Sequence, residues 1–147
     1  MRQIIVVLLT ILMLAATTLS QVTTSSLTFE YGKSEELRGL TKVFVDTGTD
    51  LKLRDNIIKE FNKQKKAIPA VNLVDRPEDA EILLVFDSDY DGNFTHGEGY
   101  VARPISDTRR RLLFTFKATR VPPFGSKTSS KFVKAFIKAY LEANKET

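Results

Sequence analysis

The chain has 147 residues, of which 42% are hydrophobic and 27% charged, a composition that fits one globular domain of ordinary size. Its formal net charge of +4 is a mild basic excess, which favours solubility but does not indicate a nucleic-acid-binding protein. The absence of cysteine excludes disulfides, thiolate metal sites, a cysteine nucleophile and a lipidated N-terminal cysteine.

The first twenty residues have the three-part layout of a secretory signal peptide. One cation, Arg2, precedes an apolar run over residues 4–16, and small polar residues follow. The run is shorter than the ~20 apolar residues that cross a bilayer, and Thr10 interrupts it. We therefore predict a cleaved signal peptide over 1–20 rather than an uncleaved anchor. The expected mature protein starts at Gln21, has no transmembrane span and is secreted or periplasmic.

Residues 21–40 are predicted to form a tether and one short helical segment. The stretch "QVTTSS" shows no periodicity, whereas "KSEELRG" is typical of a short helix that ends at Gly39. Glycine is the residue that most easily adopts the left-handed conformation found at such ends. Residues 41–147 are then expected to form a single α/β domain.

Five strands and two main helices are predicted in the order β-α-β-β-β-β-α, an α/β (α+β) fold with a mixed sheet. The predicted strands are "TKVFVD", "AVNLVD", "EILLVFD", "GYVARPI" and "RLLFTFKATR", and the helices lie in "DLKLRDNIIKEFNKQKK" and "KFVKAFIKAYLEANK". The third strand is apolar on both faces, which favours a central or doubly covered position. Short links between the last three strands predict an antiparallel meander, with both helices packed on the sheet.

Over residues 41–144, "KVFVD", "PEDAEILLVF" and the terminal amphipathic helix carry a resemblance to small domains of bacterial envelope proteins. The chain resembles the amino-terminal domain of TolB and the core of CsgG-like curli assembly lipoproteins. The resemblance implies an exported module that acts by contact with an envelope protein rather than by chemistry. This chain lacks the lipid-attachment cysteine of those lipoproteins, so neither pore formation nor a Tol-type role is carried over.

The stretch "DSDYDGNFTHGE" matches the pattern D-x-[DN]-x-[DN]-G-x5-E of an EF-hand calcium loop. The candidate ligands are Asp87, Asp89, Asp91, Asn93 and Glu98. In such a loop, alternate oxygens point at one centre and the last glutamate closes the shell. The flanking segments here are predicted strands rather than helices, and we favour a solvated hairpin loop turning at Asp-Gly. Calcium is the one cofactor that the sequence suggests.

Two further candidates for partner binding stand out. Arg109, Arg110 and Arg111 form a run of three cations that suits an anionic surface, although a polar hairpin tip is the simpler interpretation. Phe124, in "VPPFG", is either an exposed anchor for a partner protein or a ring that folds back onto the core.

Catalysis is the least favoured of the functional classes. His96 is the only histidine, so a hydrolase of the Ser-His-Asp type would have to use it, and a glycosidase would need a pair of carboxylates. The sequence offers no tryptophan to stack a sugar, and its acidic pairs lie in predicted turns. We therefore expect a non-catalytic binding or structural module, with a calcium-binding module and a small hydrolase as alternatives.

Overall fold

The computed structural model describes residues 26–121 and 127–145. The strands are β1 (Thr28–Tyr31), β2 (Lys42–Asp46), β3 (Asn72–Leu73), β4 (Ile82–Tyr90), β5 (Thr95–Ser106) and β6 (Arg109–Arg120). The helices are α1 (Leu51–Lys63) and α2 (Thr128–Ala143), and single 3-10 turns cover Ser34–Leu37, Lys65–Ala67 and Pro77–Asp79. Neither helix in these described ranges has the length and apolar character needed to cross a membrane. The predicted signal peptide and Phe124 lie outside the described residues.

The strands form one mixed sheet in the order β1-β6-β5-β4-β2-β3. β4, β5 and β6 make the predicted antiparallel meander. The remaining neighbours, β1 with β6, β4 with β2 and β2 with β3, are parallel. The predicted mixed α/β class with two main helices is confirmed.

The predicted number of strands is wrong, because the described residues contain six strands rather than five. The additional strand is β1, which lies within residues 21–40, the segment predicted to form a tether and a short helix. Its four residues show no clear alternation of buried and exposed side chains, so no local pattern reveals it. It forms through long-range pairing with the start of β6, where Phe29 lies beside Arg110. The 3-10 turn that follows contributes Leu37, which is fully buried in the core.

The acidic stretch over residues 87–98 is mostly strand rather than loop. β4 continues to Tyr90 and β5 begins at Thr95, so only a tight turn over residues 91–94 separates them. Aspartates alternate with other residues in β4, and this period of two is the period of a strand. The turn itself uses the predicted Asp-Gly step, in which Gly92 has a φ of +94°.

The core lies between α1, α2 and one face of the sheet. The rings of Phe86 on β4 and Phe132 on α2 stack with their centroids 4.8 Å apart. Phe61 of α1 stacks on Phe136 of α2 at 6.2 Å, which joins the two helices. Gly99 of β5 lies beneath the first pair, and a Cβ there would be 2.8 Å from the Phe86 ring. A side chain at this position would therefore push the helix away from the sheet.

The C-terminal end of α2 is fastened to the segment between β1 and β2. The Arg38 side chain donates to the carbonyl of Ala143 at 2.8 Å, and the Asn144 side chain accepts from the N–H of Gly39 at 2.9 Å. A cation near the last carbonyls of a helix is favourable for its dipole. Gly39 has the predicted left-handed conformation, with a φ of +75°.

We expect Phe132→Ala to lower the free energy of unfolding by about 3–5 kcal/mol, because it removes a fully buried ring and leaves a cavity between α2 and β4. Urea unfolding followed by circular dichroism measures this change. Lys134→Ala, on the exposed side of the same helix, is the matched control and should change stability by no more than about 0.5 kcal/mol. Equal effects of the two substitutions would contradict the packing described here.

Candidate functional site

Both helices pack on one face of the sheet, and the other face, here called the open face, carries neither of them. Side chains alternate between the faces along each strand. Phe86 and its neighbour Leu84 point into the helical core, so Val85 between them points to the open face. The strand register then places Asp46 of β2, Tyr100 of β5 and Thr115 of β6 in one row with Val85.

An apolar tract occupies one half of the open face. It consists of Phe29, Phe44, Leu83, Val85, Tyr100 and Ala102. The ring of Phe29 meets that of Tyr100 edge to face, with centroids 5.5 Å apart, and still exposes 41% of its surface. A shallow concavity of about 320 Å³ continues the tract past Val85 and Tyr100 to Thr115. Leu83 and Ala102 are buried within the tract, whereas Phe29 and the partly exposed Val85 and Tyr100 present apolar surface to solvent.

Arg110 lies across the centre of the open face. It starts from β6, opposite Pro104, and its Nη1 donates to the Tyr100 hydroxyl at 2.7 Å. Its Nη2 lies 4.0 Å from a carboxylate oxygen of Asp46 on β2. The side chain thereby reaches from one half of the sheet towards the other, and it lines a concavity of about 490 Å³ that also contains Leu83.

The other two arginines of the predicted run point to the opposite face and are engaged within the molecule. Arg109 forms an ion pair with Glu30 of β1. The Nε of Arg111 lies 2.9 Å from a carboxylate oxygen of Glu36, in the first 3-10 turn. Such partly exposed pairs contribute about 0–1 kcal/mol each, so they fasten β1 and the turn only modestly. An anionic partner at Arg109 or Arg111 would compete with these carboxylates, and partner binding by the run stays a prediction.

The other half of the open face is acidic. Asp87 lies directly opposite Glu98, and Asp89 lies opposite His96. These four side chains line a concavity of about 340 Å³. Lys117 of β6 adjoins them, and its Nζ donates to Glu98 at 2.7 Å. The open face thus changes from apolar to acidic along the strands.

The remaining predicted calcium ligands lie in the turn at the end of this hairpin. One oxygen of Asp91 accepts the N–H groups of Asn93 at 2.9 Å and Phe94 at 2.7 Å. Its other oxygen lies 3.0 Å from Nε2 of His96. The backbone N–H of Phe94, followed by His96 and the N–H of Asn93, lowers the pKa of Asp91 to about 2.

His96 is held at both ring nitrogens. Nε2 contacts Asp91, and Nδ1 lies 3.2 Å from the Thr119 hydroxyl on β6. This order of hydroxyl, imidazole and carboxylate is that of a catalytic triad, but Asp91 is also the residue that closes the turn. The arrangement therefore supports the hairpin end directly, through contacts that a merely solvated loop would not need.

The described residues contain no group of three or more His, Asp or Glu side chains placed together to hold a metal ion. Asp87, Asp89 and Glu98 share one surface, whereas Asp91 and Asn93 belong to the turn. A calcium ion in this structure would thus be held on a strand surface, and EF-hand geometry would require the hairpin to open.

Sequence reasoning did not identify the apolar tract. The pattern "ILLVF" did signal apolar residues on both faces of β4, and it predicted a central or doubly covered strand; β4 is indeed central in the sheet. On the open face of β4, Leu83 is buried although no helix packs there, and Val85 is partly exposed. Phe29 was missed because its strand was missed.

The scan against protein-family models found no match, and no curated protein matches the chain. Among solved structures, the crystal structure of a Xanthomonas campestris protein of family DUF330 is 12% identical and aligns with a TM-score of 0.40. The alignment covers 80% of this chain and 87% of that one. A likeness at this level does not define a shared fold or function.

We expect Asp91→Ala to destabilise the protein in a pH-dependent way. The folded-state pKa is about 2 and the ordinary value is 3.8, so the carboxylate contributes its full stability above the ordinary value. That contribution is lost as the pH falls through the folded-state value. The difference in unfolding midpoint between parent and variant should thus be constant near neutrality and shrink below about pH 4.

Thermal unfolding over a pH series measures this difference. Asp75→Ala, which removes an exposed carboxylate elsewhere, serves as the control and should show no such trend. A difference that grows on acidification would contradict the assigned role of Asp91.

Proposed function

We propose that the protein is an exported, non-catalytic binding module of the cell envelope, and that it contacts a protein partner through the open face. The apolar tract carries this proposal. A sheet that places both helices on one side and an exposed aromatic and aliphatic surface on the other presents a preformed contact area. Its aromatic residues are of the type that supplies the central contacts of interfaces.

The sequence supports the envelope location. The segment over 1–20 has the layout of a signal peptide, and a protein without cysteine needs no disulfides outside the cytoplasm. The resemblance of residues 41–144 to small envelope domains favours the same compartment. The resemblance also favours action by contact rather than catalysis.

The distribution of charge indicates the kind of partner. The apolar tract lies next to Asp87, Asp89 and Glu98, and the adjoining cation, Lys117, is already paired with Glu98. A complementary partner surface has apolar side chains flanked by Lys or Arg. Electrostatic complementarity of this kind fixes the orientation of the partner and raises the association rate.

Site-specific photo-cross-linking in intact cells tests this proposal. A photoreactive residue at Thr115, exposed on the open face, should yield an adduct with the partner. The same residue at Lys138, exposed on the far side of α2, should not. Adding Phe29→Ser to the Thr115 variant should reduce the adduct several-fold, because Phe29 forms part of the apolar tract.

Equal adduct yields from the two positions, or a yield at Thr115 that Phe29→Ser does not lower, would contradict binding through the open face. The mass of the same product tests export independently, since the processed protein should begin at Gln21. A product that retains residues 1–20 would contradict export. The cross-links would still test binding through the open face.

Calcium binding is a second candidate, and the pairing of Asp87 with Glu98 on one concave surface favours it. Oxygen ligands of this type suit calcium, and weak extracellular sites bind it at ~10⁻⁴–10⁻³ M. In this arrangement the cation would have to displace Lys117 from Glu98.

Calorimetric titration with calcium tests this candidate. Heat should appear with the parent and disappear with Asp87→Ala and with Glu98→Gln. Lys117→Ala should bind calcium more tightly, because it releases the Glu98 carboxylate, and Asp75→Ala should match the parent. Absence of heat in both the parent and Lys117→Ala would remove the candidate.

A further inference from the structure

β4 is longer than the strand beside it. Pairing between β2 and β4 ends where Asp46 lies beside Val85, yet β4 continues to Tyr90. No described strand pairs with this last part of β4 on the β2 side. The segment is therefore an edge, and the edge of a sheet presents backbone groups to which another strand can bind.

The direction of each N–H group along this edge follows from the hairpin. The N–H of Asp91 donates to the carbonyl of Phe94, across the turn, at 3.2 Å. Successive backbone N–H groups of a strand point to opposite sides, so the N–H groups of odd-numbered residues in β4 point towards β5. The backbone N–H groups of Ser88 and Tyr90 consequently point away from β5, at the free edge beyond the end of β2.

Each outward N–H group is occupied by the carboxylate of the residue before it. Ser88 donates to Asp87 at 2.7 Å, and Tyr90 donates to Asp89 at 2.8 Å. The two aspartates repeat the same contact at an interval of two residues, which matches the spacing of the outward N–H groups.

We propose that Asp87 and Asp89 close the β4 edge to strand addition, and that the partner they exclude is a second copy of this chain. The carboxylates satisfy the donors that an incoming strand would use. They also place negative charge where its carbonyl oxygens would approach. Charged side chains are a common protection of edge strands. This role is independent of the proposed function and requires no metal.

The first test uses the double variant Asp87→Ala, Asp89→Ala, expressed from the full-length sequence and purified in a chelating buffer. Light scattering after size-exclusion chromatography, over a series of concentrations, measures the mass. We expect the variant to associate, with about a twofold rise in mass at concentrations where the parent does not change. Adding Ser88→Pro should reverse the association, because proline has no N–H and is tolerated at sheet edges.

Hydrogen exchange on dilute single variants provides a second test that does not depend on association. Asp87→Ala should accelerate exchange several-fold at Ser88 and leave Tyr90 unchanged, and Asp89→Ala should do the reverse. Far-UV circular dichroism checks that the variants remain folded. An unchanged mass for the double variant, association that Ser88→Pro does not reverse, or unaltered exchange at both amides would overturn the proposal.

Discussion

The stacking of Phe132 on Phe86 is the contact on which the rest of the structure depends. Glycine at position 99 leaves room for this pair, because a Cβ there would lie 2.6 Å from the Val85 carbonyl oxygen, 2.8 Å from the Phe86 ring and 3.2 Å from the Phe132 ring. α1 then packs on α2 through Phe61, so both helices lie on the same side of the sheet. The open face follows from this arrangement, since both helices pack on the opposite side and α1 reaches the open face through the Arg54 side chain, which lies over the Phe44 ring.

On the open face, side chains of the sheet partly replace the missing helical layer. Arg110 reaches from β6 to Tyr100 and approaches Asp46, and the stem of a long cation can cover apolar surface while its head stays polar. Leu83 and Ala102 are accordingly buried there without a helix above them. Beyond Tyr100 this internal cover ends and the surface turns acidic. The candidate site thus lies where side chains of the sheet no longer cover its apolar residues.

The elements that the sequence predicted well are those with a clear local pattern. The apolar stripe that includes Phe132 and Phe136 predicted α2, and the apolar run before Asp87 predicted a strand inside the sheet. β1 was not predicted because its position depends on contacts with residues some eighty positions away, such as the pairing of Glu30 with Arg109. The acidic stretch was ambiguous because the alternation that suits a calcium loop is also the alternation of a strand. Only the register of β4 with β5 separates the two interpretations.

The contacts at the end of α2 join positions 105 apart in the chain. The first 3-10 turn packs mainly on α2 and β6, which come much later in the chain, and loop closure over such distances slows folding. Without α2 the core lacks Phe132, Val133, Phe136, Ile137, Tyr140 and Ala143. The folded form therefore depends on contacts between segments that lie far apart in the sequence, and a chain without α2 cannot complete its interior.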